Sequence, residues 1–533
     1  MESKPESGRK TNHAERLNPN TEPYDETEDE EENEDDDDDF EEEEDDEGSR
    51  TLTPEARMRK EHANMESLFR RLSSEKVPVR VHDIIIKGNN KTRDDLIEAE
   101  VEAVFRDASS FQQLLRAASV ANMRLQGLDI FDSVNITLDA GPPELPGTAN
   151  VVIEVVEAKN PLTGSIGVYS KPEARSWSLE GALKLKNLLG YGDIWDGSVA
   201  CGWGQVLEVS TGLSLPRFKG MSTPLSARLA LLSQDWLKFS SYKERALGLS
   251  LGLLSTGKHD LSYNLSWCTL TDPSQMSSHA VRRQLGHSLL SALKYTFKID
   301  RRDSPMRPTK GHAFVSTTQV GGLFPDVRSL RFIRQEFDLR YAIPLGFYQA
   351  ALNFGVSGGL MLPWGTGFLN TPSYLPLRFF MGGNSSPVCS LRGPTSVLGF
   401  KARGLGPAEP RRYMKDNSDG GNNNESGIDH VGGDLALTAF ADLSFDFPLK
   451  VLREAGIHGH LFACAGSLTK LSEIANKHFT LQKFQDSVRS SAGFGVIVPT
   501  KLFRMEVNYC YILKQHENDM GKTGIQFCFS SPH

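Results

Sequence analysis

Residues 287–300 read HSLLSALKYTFKID, a stretch in which apolar and polar side chains alternate. From Leu293 to Ile299 every second side chain is apolar, and the side chains between them are lysine or threonine. Residues 334–343, RQEFDLRYAI, repeat the alternation and carry four charged residues on the polar face. Successive side chains of a strand point to opposite faces of its sheet. An apolar face that suits lipid and a charged face that suits water predict the strands of a transmembrane barrel.

The number of alternating segments also indicates a barrel. About eleven such segments lie between residues 163 and 360, and about five lie between residues 434 and 530. Single-chain outer-membrane barrels usually have an even number of strands, so these counts predict an all-β transmembrane barrel of about 16 antiparallel strands over residues 162–533. A water-soluble sandwich also alternates, but four charges on one short face are unusual there. We expect the chain to cross the membrane as strands, because it has no uninterrupted run of about 18 apolar residues of the kind that a membrane helix needs.

A long loop is predicted after the eleventh strand, over residues 382–433. Within it lies the glycine-rich and basic stretch LRGPTSVLGFKARGLGP, residues 391–407, which we call the finger. The finger has no helical or strand periodicity. We expect it to fold back into the lumen of the barrel.

Residues 77–158 predict a small α+β domain with the order β-α-α-β-β, which we call the head domain. Its first strand ends at the turn GNN, residues 88–90. Thr92 with Asp95 is expected to form a capping box that opens the first helix, and Ser109 with Gln112 a second box that opens the next helix.

The N-terminal residues have a different composition from the rest. Residues 1–50 hold 24 acidic and 5 basic residues, a net charge of −19, whereas the remaining chain has a net charge of +9. This charge density predicts a disordered acidic tail, which either keeps the protein soluble or captures basic segments of partners. Residues 51–76 predict a linker helix. The N-terminus lacks the pattern of a secretory signal peptide, which disfavours a bacterial periplasmic route.

Motifs for catalysis or metal binding are incomplete. Residues 252–259, GLLSTGKH, have the spacing of a phosphate-binding loop, but His259 stands where a magnesium-binding hydroxyl is required. His458, His460 and Cys464 share one strand face but span too much length for a tetrahedral metal site. The six cysteines contain no CxxC pair and are expected to be isolated thiols. We expect no enzymatic activity, no cofactor or metal, and no nucleic-acid partner.

Two passages of the head domain resemble a POTRA domain. They are the turn GNNKT at residues 88–92 and LQGLDIFDSV at residues 125–134. POTRA domains bind extended polypeptides by adding a strand to an exposed sheet edge, and the resemblance implies the same activity here. The alternative is a spacer domain without a partner of its own.

Three passages of the barrel extend the resemblance over residues 78–533. They are NLLGYG at 187–192, DRRD at 300–303 and FFMGG at 379–383. Together with the head domain they resemble the BamA-like superfamily of outer-membrane assembly factors, also called the bacterial surface antigen family. The single POTRA-like domain and the segment VLGFKARGLGP, residues 397–407, are most similar to the barrel subunit of the mitochondrial sorting and assembly machinery. The acidic tail and the loop insertion suit a plant version.

The resemblance implies that Val397, Gly399 and Phe400 anchor the finger inside the barrel. The family's loop carries an arginine before its Gly-Phe pair, where it forms ion pairs with the barrel wall. Here Leu398 occupies that position. Either Arg392 or Arg403 supplies the missing charge, or packing alone holds the loop.

The chain ends in KTGIQFCF, residues 522–529, which fits the β-signal of mitochondrial barrels through Gly524, Phe527 and Phe529. The first strand, near residues 163–170, contains Gly164 and Gly167, and glycines offer no side chain for cross-strand packing. We therefore expect a weak lateral seam between the first and last strands. A disulfide across the seam, for example between cysteines at positions 166 and 526 if the register allows, is expected to close it.

The resemblance implies an insertase that folds β-barrel precursors and inserts them into the mitochondrial outer membrane through this seam. The expected partners are unfolded barrel precursors, accessory subunits of the assembly complex and outer-membrane lipid. The head domain is expected in the intermembrane space. The alternatives are a chloroplast outer-envelope assembly or import barrel, and a metabolite pore, which would need an open lumen.

Overall fold

The computed structural model describes residues 77–171, 176–202, 206–217, 223–326, 329–365, 373–389, 391, 393–412, 427–471, 485–500 and 504–530. The predicted disordered tail, the predicted linker helix and Arg392 lie outside these residues.

In the head domain two helices pack against a three-stranded sheet. Its elements are β1 Arg80–Lys87, α1 Asp94–Arg106, α2 Phe111–Gly127, β2 Phe131–Ala140 and β3 Thr148–Glu157. The strand order is β1-β3-β2, with β1 parallel and β2 antiparallel to β3. Ile97 of α1, Leu125 of α2 and Ile153 of β3 are fully buried in their shared core. The predicted β-α-α-β-β order is confirmed.

The caps of the two helices differ from those predicted. The N-cap of α1 is Arg93, which makes no side-chain capping bond. The hydroxyl of Thr92 donates instead to the Glu157 carboxylate at 2.6 Å, so the predicted box at the start of α1 is wrong. The N-cap of α2 is Ser110, whose hydroxyl accepts from the backbone N–H of Gln113. The predicted box of Ser109 with Gln112 is therefore wrong, and the Gln113 side chain accepts from the N–H of Ser109 rather than from that of the N-cap.

Sixteen strands form one antiparallel sheet, as predicted. The strands before the long loop are β4 Leu162–Lys171, β5 Ser176–Lys186, β6 Ile194–Gly202, β7 Val206–Leu215, β8 Leu225–Asp235, β9 Lys243–Ser255, β10 His259–Thr271, β11 Gly286–Asp300, β12 Gly311–Gly321, β13 Phe332–Pro344 and β14 Ala351–Pro363. Inside the loop lie β15 Ala408–Pro410 and β16 Ile428–His430, and after it come β17 Leu435–Asp446, β18 His458–Thr469, β19 Arg489–Pro499, β20 Arg504–Lys514 and β21 Gly524–Ser530. Each barrel strand pairs with the next, and β14 pairs with β17 across the loop.

Short helices lie in the connections between strands. They are α3 Leu237–Ser240, α4 His279–Arg282 and α5 Lys450–Glu454, with a 3-10 turn at Leu375–Leu377. None of the helices that the structure describes is both long enough and apolar enough to cross a membrane.

The two faces of the barrel strands differ in polarity. In β13, Phe337, Leu339 and Tyr341 are exposed on the outer face, whereas Asp338 and Arg340 are only 1% and 5% exposed on the inner face. Exposed apolar side chains recur on the outside of strands from β5 to β21. The outer surface thus suits lipid, and the polar groups face the lumen.

The path of the chain fixes which end of the barrel each loop occupies. We call the end where β4 begins, next to the head domain, the head rim, and the opposite end the far rim. Because β14 is the eleventh strand, the luminal loop that connects it to β17 starts and ends at the far rim. The hairpin between β20 and β21 also lies at the far rim, whereas β20 begins at the head rim.

The head domain docks on the loop between β5 and β6. The backbone N–H of Thr92 donates to the Glu157 carboxylate at 2.7 Å, and the Thr92 hydroxyl accepts from Asn187 Nδ2 at 2.8 Å. The Arg93 N–H donates to the carbonyl of Gly190 at 3.0 Å. One connected set of hydrogen bonds therefore joins the end of β3, the turn before α1 and the first loop of the barrel at the head rim.

The docking depends on a glycine conformation. Gly190 has a φ of +83°, and a Cβ built at this position would lie 2.3 Å from the carbonyl oxygen of Lys91. A side chain there would be strained and would also push the two parts apart. The close approach of the two backbones thus requires glycine.

Gly190→Ala is expected to loosen the docking by about 1–3 kcal/mol, because alanine strains the positive-φ conformation and collides with Lys91. Limited proteolysis of the detergent-solubilised protein, followed at residues 157–162, should show faster cleavage. Gly181→Ala is the matched control, since a Cβ at Gly181 would meet no atom within 4 Å. Equal cleavage rates in both variants would contradict a structural role of Gly190.

Candidate functional site

The edges of the sixteen-stranded sheet are its first and last strands. In the described part of the chain, β4 pairs with β5 and β21 pairs with β20, and no ladder joins β4 to β21. Each edge therefore presents a row of backbone N–H and C=O groups without a strand partner. Such a row can accept an additional strand.

The glycines predicted for the first edge lie on opposite faces of β4. Gly164 is opposite Leu183, an exposed residue on the outer face, and Gly167 is opposite Glu180 on the luminal face. Ile166, which lies between the two glycines in the sequence, is 83% exposed. The first edge is therefore sparsely covered on both faces. That its glycines weaken a seam stays a prediction.

The last edge is a short strand of seven residues. Gly524 begins it with a φ of +113°, and Phe527 is 53% exposed on its outer face. Phe529 lies opposite Met505, but its side chain is outside the described part. Gln526 is fully buried on the luminal face, and among the described atoms its Oε1 has no hydrogen-bond partner.

The pair of positions expected to form a seam disulfide is wrong. Ile166 points outward from β4, whereas Gln526 points into the lumen from β21. A disulfide requires Cβ atoms about 4 Å apart with converging vectors, which residues on opposite faces do not provide. Phe527, the neighbour of Gln526, is on the same face as Ile166.

The finger packs its predicted anchor residues into an apolar cluster in the lumen. Val397, Leu398 and Phe400 are fully buried. Their cluster also contains Phe379, Met381, Phe462, Cys464 and Leu468. Leu398 packs among these apolar side chains, and its carbonyl accepts a hydrogen bond from the Ser491 hydroxyl of β19. Because Arg392 lies outside the described residues, the source of the missing charge stays a prediction.

The finger also pairs with the hairpin between β20 and β21. The Lys522 N–H donates to the Gly399 carbonyl at 2.7 Å, and the Lys401 N–H donates to the Met520 carbonyl at 2.9 Å. Gly399 has a φ of +91°, and a Cβ there would lie 3.2 Å from Ser491 Cβ. Because Lys522 is two residues before β21, the finger holds the chain where it enters the last edge.

Arg403 lies at the far rim, where its guanidinium stacks between two aromatic rings. Its guanidinium carbon is 3.3 Å from the ring centre of Trp236 and 3.9 Å from that of Phe380. Its Nη1 donates to the Tyr242 hydroxyl at 3.0 Å. Stacking between two rings ties the finger to the connection between β8 and β9.

The luminal loop crosses the barrel before it forms the finger. Its tip, residues 386–389, reaches the head rim, where Arg302 donates to the Val388 carbonyl at 3.2 Å and Arg340 donates to the Pro387 carbonyl. The Asp338 carboxylate, on the luminal face of β13, accepts from the Gly393 N–H at 3.2 Å. The loop thus spans the lumen from the far rim to the head rim and back.

These luminal wall contacts were missed by sequence reasoning. Asp338 and Arg340 were recognised as parts of a charged face, which was the available signal, but their partners in the loop were not. Ser491 and Arg302 carried no comparable pattern. Their function follows from the loop path, which local periodicity does not encode.

No metal centre forms around the histidines considered above. Among the described residues, no three histidine, cysteine, aspartate or glutamate side chains lie together in a metal-binding arrangement. His460 Nδ1 lies 2.6 Å from Asp442 Oδ1, and its Nε2 lies 2.7 Å from Asn508 Oδ1. Both ring nitrogens therefore take part in a luminal hydrogen-bond network.

Phe400→Ala is expected to release the finger from the last hairpin, because removal of a buried ring costs about 3–5 kcal/mol. Hydrogen exchange measured on the detergent-solubilised protein should accelerate at the amides of Lys401 and Lys522. Phe347→Ala, at an exposed position of the β13–β14 hairpin, is the control and should leave these amides protected. Unchanged exchange in Phe400→Ala would refute the anchoring role.

Family models match most of the chain. A model described as an Omp85 superfamily domain matches residues 187–531, and a POTRA model, described as a surface antigen variable number repeat, matches residues 79–158. Several relatives carry the name sorting and assembly machinery component 50 homolog. The Mus musculus protein is 28% identical over 461 residues, covering 84% of this chain and 89% of its own length. The Homo sapiens protein is 27% identical with the same coverage.

A solved structure shares the fold. It is BamA from Haemophilus ducreyi lacking POTRA domains 1–3, which superposes with a TM-score of 0.67 at 16% identity and covers 85% of this chain and 84% of that one. At this identity the likeness concerns the fold alone. The resemblance drawn from the sequence is confirmed by these comparisons, whereas the plant origin stays a prediction.

Proposed function

The chain belongs to the Omp85 superfamily, and we propose that it folds β-barrel precursors and inserts them into the mitochondrial outer membrane through a lateral seam between β4 and β21. The observation that carries this proposal is the pair of edges without a strand partner in the described sheet. An unpaired strand edge in lipid costs several kcal/mol for each unsatisfied backbone group. A barrel whose edge strand pairs with the precursor strand satisfies these backbone groups and removes this cost.

Strand exchange supplies the mechanism. A precursor whose last strand resembles residues 522–529 pairs with β4 in place of β21, and one ladder of backbone hydrogen bonds replaces another with little net change in free energy. Gly164 and Gly167 assist, because β4 then offers few side-chain contacts that must be broken. The reaction breaks no covalent bond, so we propose a non-enzymatic insertase.

The luminal loop supports this function rather than a metabolite pore. A pore needs an open water-filled lumen, but the loop tip and the finger lie inside this barrel. The finger contacts the hairpin before β21 at Lys522, and in the proposed mechanism it keeps that hairpin in place while β21 yields to the precursor. In this mechanism the luminal loop supports the seam from inside the barrel.

The proposed location follows from the relatives named after the sorting and assembly machinery. The head domain then lies in the intermembrane space, where precursors arrive before insertion. There β2, at one edge of the head sheet, is available for strand addition by an extended precursor. Accessory subunits and outer-membrane lipid complete the proposed partners. A chloroplast outer-envelope barrel is the alternative location.

Cross-linking of the seam is expected to stop precursor assembly. Ile166 and Phe527 both face outward, so Ile166→Cys with Phe527→Cys can be joined by a short reducible thiol cross-linker, with the exposed Cys201 replaced by serine. Assembly of a radiolabelled barrel precursor into mitochondria should cease after cross-linking and return after reduction.

The control pair is Ile166→Cys with Gln526→Cys, whose side chains lie on opposite faces. This pair should fail to cross-link and should assemble the precursor normally. If assembly continues undiminished while the Ile166–Phe527 pair is verifiably cross-linked, lateral exchange is excluded.

The orientation is tested by protease protection. Residues 1–157 should resist protease in intact mitochondria and should be degraded once the outer membrane is ruptured by swelling, because the head domain then becomes accessible. A protein known to face the cytosol serves as the control for protease activity. Cleavage of the head domain in intact mitochondria would reverse the proposed orientation.

A further inference from the structure

A cavity of about 210 Å³ lies where the head domain meets the barrel. Its walls include Lys91, Glu157, Lys159, Pro161, Lys186 and Asn187. A single water needs only about 15 Å³, so the cavity has room for a larger polar group. Of its eight lining residues, three are lysines and one is acidic.

The charges of the residues around the cavity do not cancel. The Glu157 carboxylate accepts hydrogen bonds from the backbone N–H groups of Lys91 and Thr92 and from the Thr92 hydroxyl. Burial alone would raise the pKa of Glu157, but these hydrogen bonds outweigh burial and keep its pKa below the usual value. Lys186 is paired with Asp129 at 2.5 Å. Glu157 and Asp129 bring two negative charges against the three positive charges of Lys91, Lys159 and Lys186, so one positive charge remains at the cavity.

The cavity lies at the head rim, where β4 begins and β5 ends. Pro161 directly precedes Leu162, the first residue of β4, whose side chain is 58% exposed. Asn187 directly precedes Leu188 and Leu189, which are 45% and 57% exposed. Apolar side chains beside lysines at the end of membrane-spanning strands are typical of the layer that holds lipid headgroups.

We propose that this cavity binds the phosphate group of an anionic membrane phospholipid, with Lys91 and Lys159 as its cationic contacts and the acyl chains against Leu162. Asn187 adds an amide within the same wall. A membrane phospholipid fits better than free phosphate because the apolar side chains flank the lysines. The bound lipid joins the head domain to the first strand at the membrane surface. This site is independent of the proposed precursor assembly.

The test compares two double variants of the full-length protein in neutral detergent. K91Q/K159Q removes two of the three lysine charges of the cavity, and K258Q/K310Q removes two exposed lysines from other head-rim turns. Native mass spectrometry measures binding of phosphatidylglycerol and of phosphatidylcholine, with inorganic phosphate as a competitor. K91Q/K159Q should bind phosphatidylglycerol about tenfold more weakly than the unaltered protein, and K258Q/K310Q should not. K91R/K159R, which retains both charges, should restore binding.

Each other outcome overturns the proposal. Equal losses in the two double variants would indicate general surface charge, and unchanged binding in K91Q/K159Q would exclude the cavity. Displacement of the lipid by millimolar inorganic phosphate would make free phosphate the ligand. Equal binding of phosphatidylcholine would remove the requirement for an anionic lipid. Thermal unfolding of K91R/K159R and K91Q/K159Q should agree, which separates a lost contact from a misfolded junction.

Discussion

Backbone hydrogen bonding in lipid is the constraint on which this structure depends. A strand in the membrane must pair on both sides, because hydrocarbon offers no donor or acceptor. In the described sheet each strand between β4 and β21 has two neighbours, whereas β4 and β21 have one. The free-energy cost of unpaired backbone groups is therefore confined to the edges of β4 and β21. The head domain precedes one of these edges, and the finger pairs with the hairpin before the other.

The luminal loop meets the same requirement inside the barrel. Its carbonyl groups receive hydrogen bonds from Arg302 and Arg340 of the wall and from Lys522 of the last hairpin. Arginine suits this function, because its guanidinium offers five N–H donors and stays charged. Apolar packing around Phe400 also holds the loop in the lumen. A glycine-rich segment without periodic structure is ordered in this way by its surroundings.

Hydrogen bonds and a close approach of two backbones join the head domain to the barrel. The Thr92 hydroxyl donates to Glu157 and accepts from Asn187, so one side chain connects the last head strand to the first barrel loop. Gly190 permits the two backbones to approach. The same hydrogen bonds keep the Glu157 carboxylate ionised beside the three lysines of the cavity wall. One hydrogen-bond network thus joins the head domain to the barrel and fixes the charge of Glu157.

The sequence by itself determined the sixteen strands, their polarity and the β-α-α-β-β head, because strand and helix periods are local properties of the chain. It also marked Val397, Gly399 and Phe400 through a resemblance. Only the tertiary structure decided that Leu398 packs into the luminal apolar cluster and that Thr92 bonds Glu157 instead of capping α1. These outcomes depend on partners 50 or more residues away in the chain, and local periodicity carries no information about such partners.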